Sequence, residues 1–395
     1  MMKKIAILLV AIMLLTSFAF TGCSSKPAAS DNSAGTTQSG SDVIKIGVFE
    51  PMTGANAAGG QLEVDGIKLA NKLYPEVLGK KVELVMADNK SDKVEAATAA
   101  ARLVEKDKVT AIIGSWGSSL SMAAGDIVKQ AKVPAVGASC TNPLVTQGNE
   151  YYFRVCFIDP FQGTVMANYA FDKLKAKKAA IIQEVSNDYA VGLANYFTEN
   201  FKKLTGDQNA IVAVSNYNTG DQDFSAQLTN IKSKNPDVIF APGNFTESAL
   251  VISQARKLGI TCPIIGGDTW EVQQFLDIGK DAVEGAAFST FFATEKPITK
   301  ESEKFLKAYR DENGGKDPAA VTALGYDAYI LILDAIKRAG TTDTVKVRDE
   351  LAKTKDFEGA AGVITLDENR NAVKSAVIKQ VKGGKFVYLD TIQPK

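Results

Sequence analysis

Histidine is absent from this 395-residue chain. That removes the most frequent general base and the most frequent metal ligand. A Ser–His–Asp or Cys–His mechanism is therefore impossible. Cysteine is scarce: the four residues Cys23, Cys140, Cys156 and Cys262 form no Cys-x-x-Cys pair. There is no Gly-x-x-x-x-Gly-Lys and no Gly-x-Gly-x-x-Gly, the loops that cradle phosphates and dinucleotides. Charge of one sign is missing too, with 45 basic residues against 45 acidic ones. Without a basic excess nothing drives nucleic-acid binding. Neither a cofactor nor a metal is expected. A carboxylate-only hydrolase is compatible with the composition, but no pattern of residues points to one.

What is present begins with an address. Met1-Met2-Lys3-Lys4 is a short basic start, Ile5 to Phe20 is uncharged and largely apolar, and Phe20-Thr21-Gly22-Cys23 closes with small residues on a cysteine. This is the order of an export signal. It resembles a bacterial lipoprotein signal, in which residues 1–22 are removed and Cys23 carries the lipid. An uncleaved anchor would need about 20 apolar residues to cross a bilayer, and this run is shorter. Loss of Lys3 and Lys4 with the signal leaves a mature chain with two more acids than bases. Residues 23–42, rich in Ser, Ala, Gly, Thr, Asn and Gln, bury too little apolar surface to fold and read as a flexible linker. With Cys23 assigned to lipid, three cysteines remain, enough for one disulfide at most. Cys140 and Cys156 would be the pair, and buried free thiols are the alternative.

From Val43 onward strands alternate with helices. Strands are expected at Val43–Phe49, Val82–Met86, Val109–Ile113 and Val133–Val136, and again at Ala179–Ile182, Ile211–Val214, Val238–Phe240 and Pro263–Ile265. Helices lie between them, among them Gln61–Leu73 with Leu62, Ile67, Leu69 and Leu73 as its apolar side. The link Tyr151–Gln162 carries an extended Tyr-Phe-Arg-Val pattern. This alternation implies an α/β protein with two parallel-sheet units covered on both faces. The last third carries helices at Glu301–Tyr309, Thr322–Ala339 and Val345–Ala352. A meander of Gly362–Leu366, Ser375–Gln380 and Phe386–Leu389 follows, with Gly383-Gly384 as a hairpin turn.

Open parallel sheets bind ligands beyond the carboxyl ends of their strands. The loops after Phe49, Ile113, Val136, Ile182, Phe240 and Ile265 are therefore the candidate site. Hydroxyls cluster in the first unit, aromatics and acids in the second, an arrangement suited to a small zwitterion. Ser118 or Ser119, at the start of a helix, would meet a carboxylate together with free backbone N–H groups. Ser139 and Thr141 would add donors. Asp268 would accept from an ammonium group, and Trp116, Tyr189, Phe245 and Trp270 would enclose the side chain. Each has a plainer alternative: a serine N-cap, a capping Asp268, a turn at Asn142-Pro143, core tryptophans.

The ordered segments Ile46-Gly47-Val48…Thr53-Gly54, Ala138-Ser139-Cys140-Thr141-Asn142-Pro143, Tyr152-Phe153-Arg154…Asp159-Pro160-Phe161-Gln162-Gly163, Asp188-Tyr189…Gly192, Asp223-Phe224-Ser225 and Gly266-Gly267-Asp268 carry a resemblance. Across nearly the whole body the chain resembles the branched-chain amino-acid (leucine/isoleucine/valine-type) binding proteins of ABC transporters, of periplasmic binding protein type I. The resemblance implies two doubly wound parallel-sheet lobes joined by three crossing hinge segments. One lobe would be residues 43–157 plus 290–373, the other 158–289 plus 374–395. It implies an amino acid held between them: the α-carboxylate on Ser118 or Ser119, Ser139 and Thr141, within the loop that includes Cys140; the ammonium group on Asp268, with Tyr189 contacting it or covering the ligand; and an aromatic-bearing loop at Asn244 and Phe245. Leucine-binding members often carry an aromatic where this chain has Gly59 or Gly60, and Trp116 would refill that space. Asp268 favours a ligand with a cation over urea or simple aromatic acids. The implied function is capture of an amino acid by a monomeric, non-enzymatic, lipid-anchored protein and delivery to a membrane permease, whose ATPase subunits it meets only indirectly. A sensory receptor using the same cleft is the alternative.

Overall fold

The computed structural model describes residues 43–394; the export signal, Cys23 and the linker up to Asp42 lie outside the described residues. The layers follow from side-chain alternation along the first strand, β1 (Val43–Glu50). Ile44, Ile46 and Val48 are buried on one face. Phe49 is buried on the other, where Gly47 lets Leu103 come within 3.0 Å of the place a Cβ would take. Both faces are covered, as a central parallel strand requires.

Around β1 assemble β2 (Glu76–Val77), β3 (Lys80–Asp88), β4 (Ala111–Ile113), β5 (Ala135–Gly137) and β6 (Tyr152–Arg154). The order is β2-β3-β1-β4-β5-β6, with only the two-residue β2 antiparallel. Helix α1 (Ala57–Leu73) covers one face; α2 (Lys93–Ala101) and α3 (Ser118–Ala131) cover the other. Asp92 caps α2 by accepting from the Val94 and Glu95 N–H groups. Ala96, Ala99 and Ala100 allow α2 a close approach to the sheet.

The second sheet takes β7 (Ala179–Glu184), β8 (Ile211–Tyr217), β9 (Val238–Phe240), β10 (Ile264–Gly266) and β11 (Ala287–Thr290), all parallel. Between β6 and β11 run α4 (Asp159–Asn168), α5 (Asp188–Thr205), α6 (Ser225–Ser233), α7 (Phe245–Lys257) and α8 (Gln273–Gly279). The chain then leaves this sheet for α9 (Lys300–Glu312), α10 (Ala320–Ala339) and α11 (Thr344–Leu351). A small sheet follows: β12 (Phe357–Gly359), β13 (Gly362–Leu366) and β14 (Ala372–Val373). It returns through β15 (Ala376–Lys382) and β16 (Lys385–Ile392), which add antiparallel to β11 and complete the order β16-β15-β11-β10-β9-β7-β8. The chain therefore passes between the two halves three times: after β6, after β11 and between β14 and β15.

One expectation needs correction, and two elements were not anticipated. In the link Tyr151–Gln162 the extended pattern forms β6, and helix α4 then starts at Asp159 with Pro160 in its first turn, where a missing N–H costs nothing. The C-terminal meander does not form: β13 joins β12 and β14, while only β15 and β16 pair as a hairpin. Gly383 and Gly384 close that hairpin with φ of 59° and 67°, the left-handed pair a two-residue turn demands. Strand β11, four buried residues long, was not anticipated.

Helix α10 is buried along most of its length and packs on α1. The two backbones meet at glycines. A Cβ on Gly66 would stand 1.9 Å from the Thr322 carbonyl oxygen, and one on Gly325 would stand 2.2 Å from that of Glu63. Gly325→Ala should therefore destabilise the protein by about 1–3 kcal/mol, despite the roughly 1 kcal/mol that alanine gains in helix propensity. Urea unfolding reads this directly, and an unchanged midpoint would refute the close crossing.

Candidate functional site

The carboxyl ends of both sheets face a shared cleft, partly open to solvent. The first half contributes Asn56, Ser91, Lys93, Ser139 and the run Trp116–Leu120; the second contributes Glu184, Asn187, Tyr189, Thr219, Asn244 and Asp268.

On the first side the start of α3 is the centre. Its N-cap is Gly117, and no side chain caps it. The two serines are used otherwise. Ser118 Oγ accepts the Asn142 N–H at 3.1 Å, and Ser119 Oγ donates to Asp188 Oδ2 at 2.7 Å. The plainer alternative, a serine cap, thus does not form, and the first N–H groups of a fourteen-residue helix border the cleft with its positive end. Ser139 adds a hydroxyl from the loop after β5, where it is hydrogen-bonded to Glu63.

On the second side Asp268 is 3% exposed. Gln162 Nε2 and Tyr189 Oη both donate to its Oδ1, at 2.6 and 2.9 Å, so Oδ2 is the oxygen left for an incoming donor. Burial pushes its carboxyl up to about 6, against the pull of these two hydrogen bonds. Asp268 caps no helix; α8 begins after Val272. Such a desolvated carboxylate in a cleft is matched to a cation.

The halves also touch across the cleft. Lys93 Nζ lies 3.0 Å from Asp188 Oδ2, Asn142 Nδ2 donates to the Asp188 carbonyl at 2.8 Å, and Asn244 Nδ2 donates to Asn56 Oδ1 at 3.0 Å. Burial raises the Asp188 carboxyl, but the Ser119 hydroxyl and Lys93 outweigh it and hold it below the ordinary value.

Of the ten candidate residues, Trp116, Ser118, Ser119, Ser139, Tyr189, Asn244 and Asp268 line the cleft. Three do not. Phe245 is fully buried behind Trp116, ring edge to ring face at 6.1 Å. Thr141 is fully buried beside Asp159, whose N–H donates to the Thr141 carbonyl at 3.0 Å. Cys140 is fully buried, its thiol against Cys156 and Ser121; both cysteine thiols are buried and free. Trp270 is core, stacked on Phe275 at 4.9 Å. Trp116 occupies the space above Gly59, where a Cβ would fall 2.4 Å from the indole. Lys93, Ser91 and Thr219 were missed because they follow β3 and β8, two strand ends omitted from the candidate loops. Gln162 was visible in the Asp-Pro-Phe-Gln-Gly segment but had no role attached to it.

The raised carboxyl of Asp268 has a measurable cost. Its folded value near 6 lies above the unfolded ~3.9, so the folded chain holds more protons in that window and stability falls as pH rises through it. Asp268→Asn keeps an acceptor for Tyr189 without a charge to desolvate. It should be more stable than wild type by about 1–3 kcal/mol at pH 7–8, with the gain vanishing near pH 4. Urea midpoints across pH test this; a constant difference would show that the charge is not the cause.

Among the described residues no helix is long and apolar enough to cross a membrane. Comparison with known proteins agrees with the fold. The Leu/Ile/Val-binding protein homolog 1 of Brucella abortus is 29% identical over 354 residues, covering 88% of this chain and 93% of that protein. The leucine-binding protein LivK of Thermotoga maritima is 45% identical, with a TM-score of 0.86 over 89% of this chain and 99% of its own. LivJ of Streptococcus pneumoniae, a branched-chain amino-acid transporter substrate-binding protein solved with isoleucine, is 35% identical, with a TM-score of 0.83 over 89% of this chain and all of its own. With residues 43–385 matched by the model of that family, the chain belongs to the periplasmic binding proteins.

Proposed function

We propose that this protein captures an amino acid, branched-chain or otherwise apolar, between its two halves and delivers it to an ABC permease in the membrane. The observation that carries this is the opposition across one cleft of an uncapped helix start with serine hydroxyls and a buried, half-satisfied carboxylate. The α-carboxylate belongs on the first side, at the α3 N–H groups with Ser118, Ser119 and Ser139; the ammonium belongs on Asp268 Oδ2. Trp116, backed by Phe245, and Tyr189 cover the side chain. The bodies that close are residues 43–157 plus 290–373 and residues 158–289 plus 374–395, hinged at the three crossings. Ligand contacts made from both sides favour the closed form, which the permease recognises. The work is binding, not catalysis, done by a monomer. The binding of isoleucine by LivJ and the names of the relatives support the ligand class. The signal-like start supports export, lipidation at Cys23 and attachment outside the cytoplasm.

Calorimetry against an amino-acid panel should find leucine, isoleucine or valine among the binders. Asp268→Ala should weaken binding by about 2–5 kcal/mol, the cost of stripping one partner from a buried charge pair. Affinity should also fall as pH drops below about 6, where Asp268 takes up a proton. Binding indifferent to the substitution would displace the ammonium from Asp268. In cells, Cys23→Ala should move the protein from the membrane to the soluble exported fraction; continued membrane attachment would rule out the lipid on Cys23.

A further inference from the structure

Two carboxyl groups lie beneath the first side of the cleft. Glu50 ends β1 and Glu63 comes from α1; both are fully buried. Glu50 Oε2 accepts the Trp116 N–H at 2.6 Å. Glu63 Oε1 is hydrogen-bonded to the Ser139 hydroxyl, which lines the cleft. The other two oxygens, Glu50 Oε1 and Glu63 Oε2, are buried and receive no donor, while the two carboxyl groups lie within hydrogen-bonding reach of each other. Two buried acceptors facing each other need a proton between them.

Little around the pair favours its ionisation. The Cys140 thiol faces it from the loop after β5, the Ser115 hydroxyl from the loop after β4, and the Tyr152 hydroxyl from β6. Arg154 on β6 is turned to the carbonyls of Cys140 and Asn142. On α10, Tyr326 donates to Glu301, and Asp327 accepts from the Ala360 and Ala361 N–H groups. On α1 itself, Asp65 faces Lys68. Burial pushes Glu50 up to about 8, and burial with the charge of Glu50 holds Glu63 well above the ordinary carboxylate value.

We propose that Glu50, Glu63 and Ser139 form a proton-holding relay that turns the Ser139 hydroxyl into a donor toward the cleft, linking capture of the ligand carboxylate to the protonated state of the two acids. The inference rests on the reading of the cleft as an amino-acid site. With both acids protonated, Glu50 donates to Glu63, Glu63 donates to Ser139 Oγ, and the serine proton is free for the ligand. When the pair loses a proton to solvent, Ser139 donates back to Glu63 instead. The incoming carboxylate then meets lone pairs above a buried negative charge. Glu63 is a positioning residue, acting through Ser139.

The test is isoleucine binding to the purified protein by calorimetry from pH 6.5 to 9, in buffers of different ionisation enthalpy. Wild type should lose roughly tenfold in affinity between pH 7 and 9 and take up close to one proton per site at the upper end. Glu63→Gln, which still offers a donor to Ser139, should keep neutral-pH affinity within a few-fold and lose both the alkaline fall and the proton uptake. A drift shared by wild type and E63Q belongs to the ligand's own ammonium. Affinity flat to pH 9 without proton uptake in wild type, a measurement that needs no variant, would overturn the proposal. So would an unchanged fall in E63Q. If no amino acid binds at any pH, the reading of the cleft fails first and the relay with it.

Discussion

The first half of the site depends on one buried cation, Arg154, whose hydrogen bonds go to a loop rather than to a carboxylate. Arg154 is fully buried at the end of β6, where the chain is about to cross between the halves. Its guanidinium donates to the carbonyls of Cys140, Asn142 and Pro143 and to Thr146 Oγ1. A planar fork of donors suits several carbonyls of one loop in a way a lysine ammonium would not. The backbone N–H of Arg154 also donates to the Arg370 carbonyl at 3.2 Å, tying β6 to the turn before β14 and so to the third crossing. The loop that bears Ser139 is therefore held by the same residue that ties β6 to the turn before β14.

What joins the halves across the cleft is weaker. Lys93 and Asp188 are each about half exposed, 53% and 45%. Such an ion pair contributes about 0–1 kcal/mol. The remaining bridges are hydrogen bonds: Ser119 Oγ with the Asp188 carboxylate and N–H, and single bonds from Asn142 and Asn244. Rigid loops on a strong frame with a shallow clasp between them suit a receptor that must release what it captures. In the proposed mode of binding, the larger part of closure comes from a ligand that satisfies α3 and Asp268 together.

Much of this was legible because parallel strands are short, apolar and bounded by glycine or proline, and because ligand sites follow strand ends. Asp268, Ser139 and Ser118 were reached that way. Sequence position along a strand-end loop does not say which way a side chain points, however. Cys140 and Thr141 sit next to Ser139 yet turn into the protein, and Phe245 supports Trp116 from behind. Side-chain direction there is set by Arg154 and Asp159, residues on a different element. The start of α4 was hidden for a related reason: Asp-Pro marks the end of an extended stretch as readily as the beginning of a helix.

Gly59 and Trp116 share one space, the indole lying where a side chain on Gly59 would begin. Their substitutions are consequently not independent. Adding an aromatic at Gly59 while Trp116 stays produces a clash; trimming Trp116 while Gly59 stays opens a void against Phe245. Each single change passes through a damaged intermediate, whereas the paired exchange restores the wall with a different contour. Reshaping this part of the wall without a clash or a void therefore requires coupled replacement at these two positions.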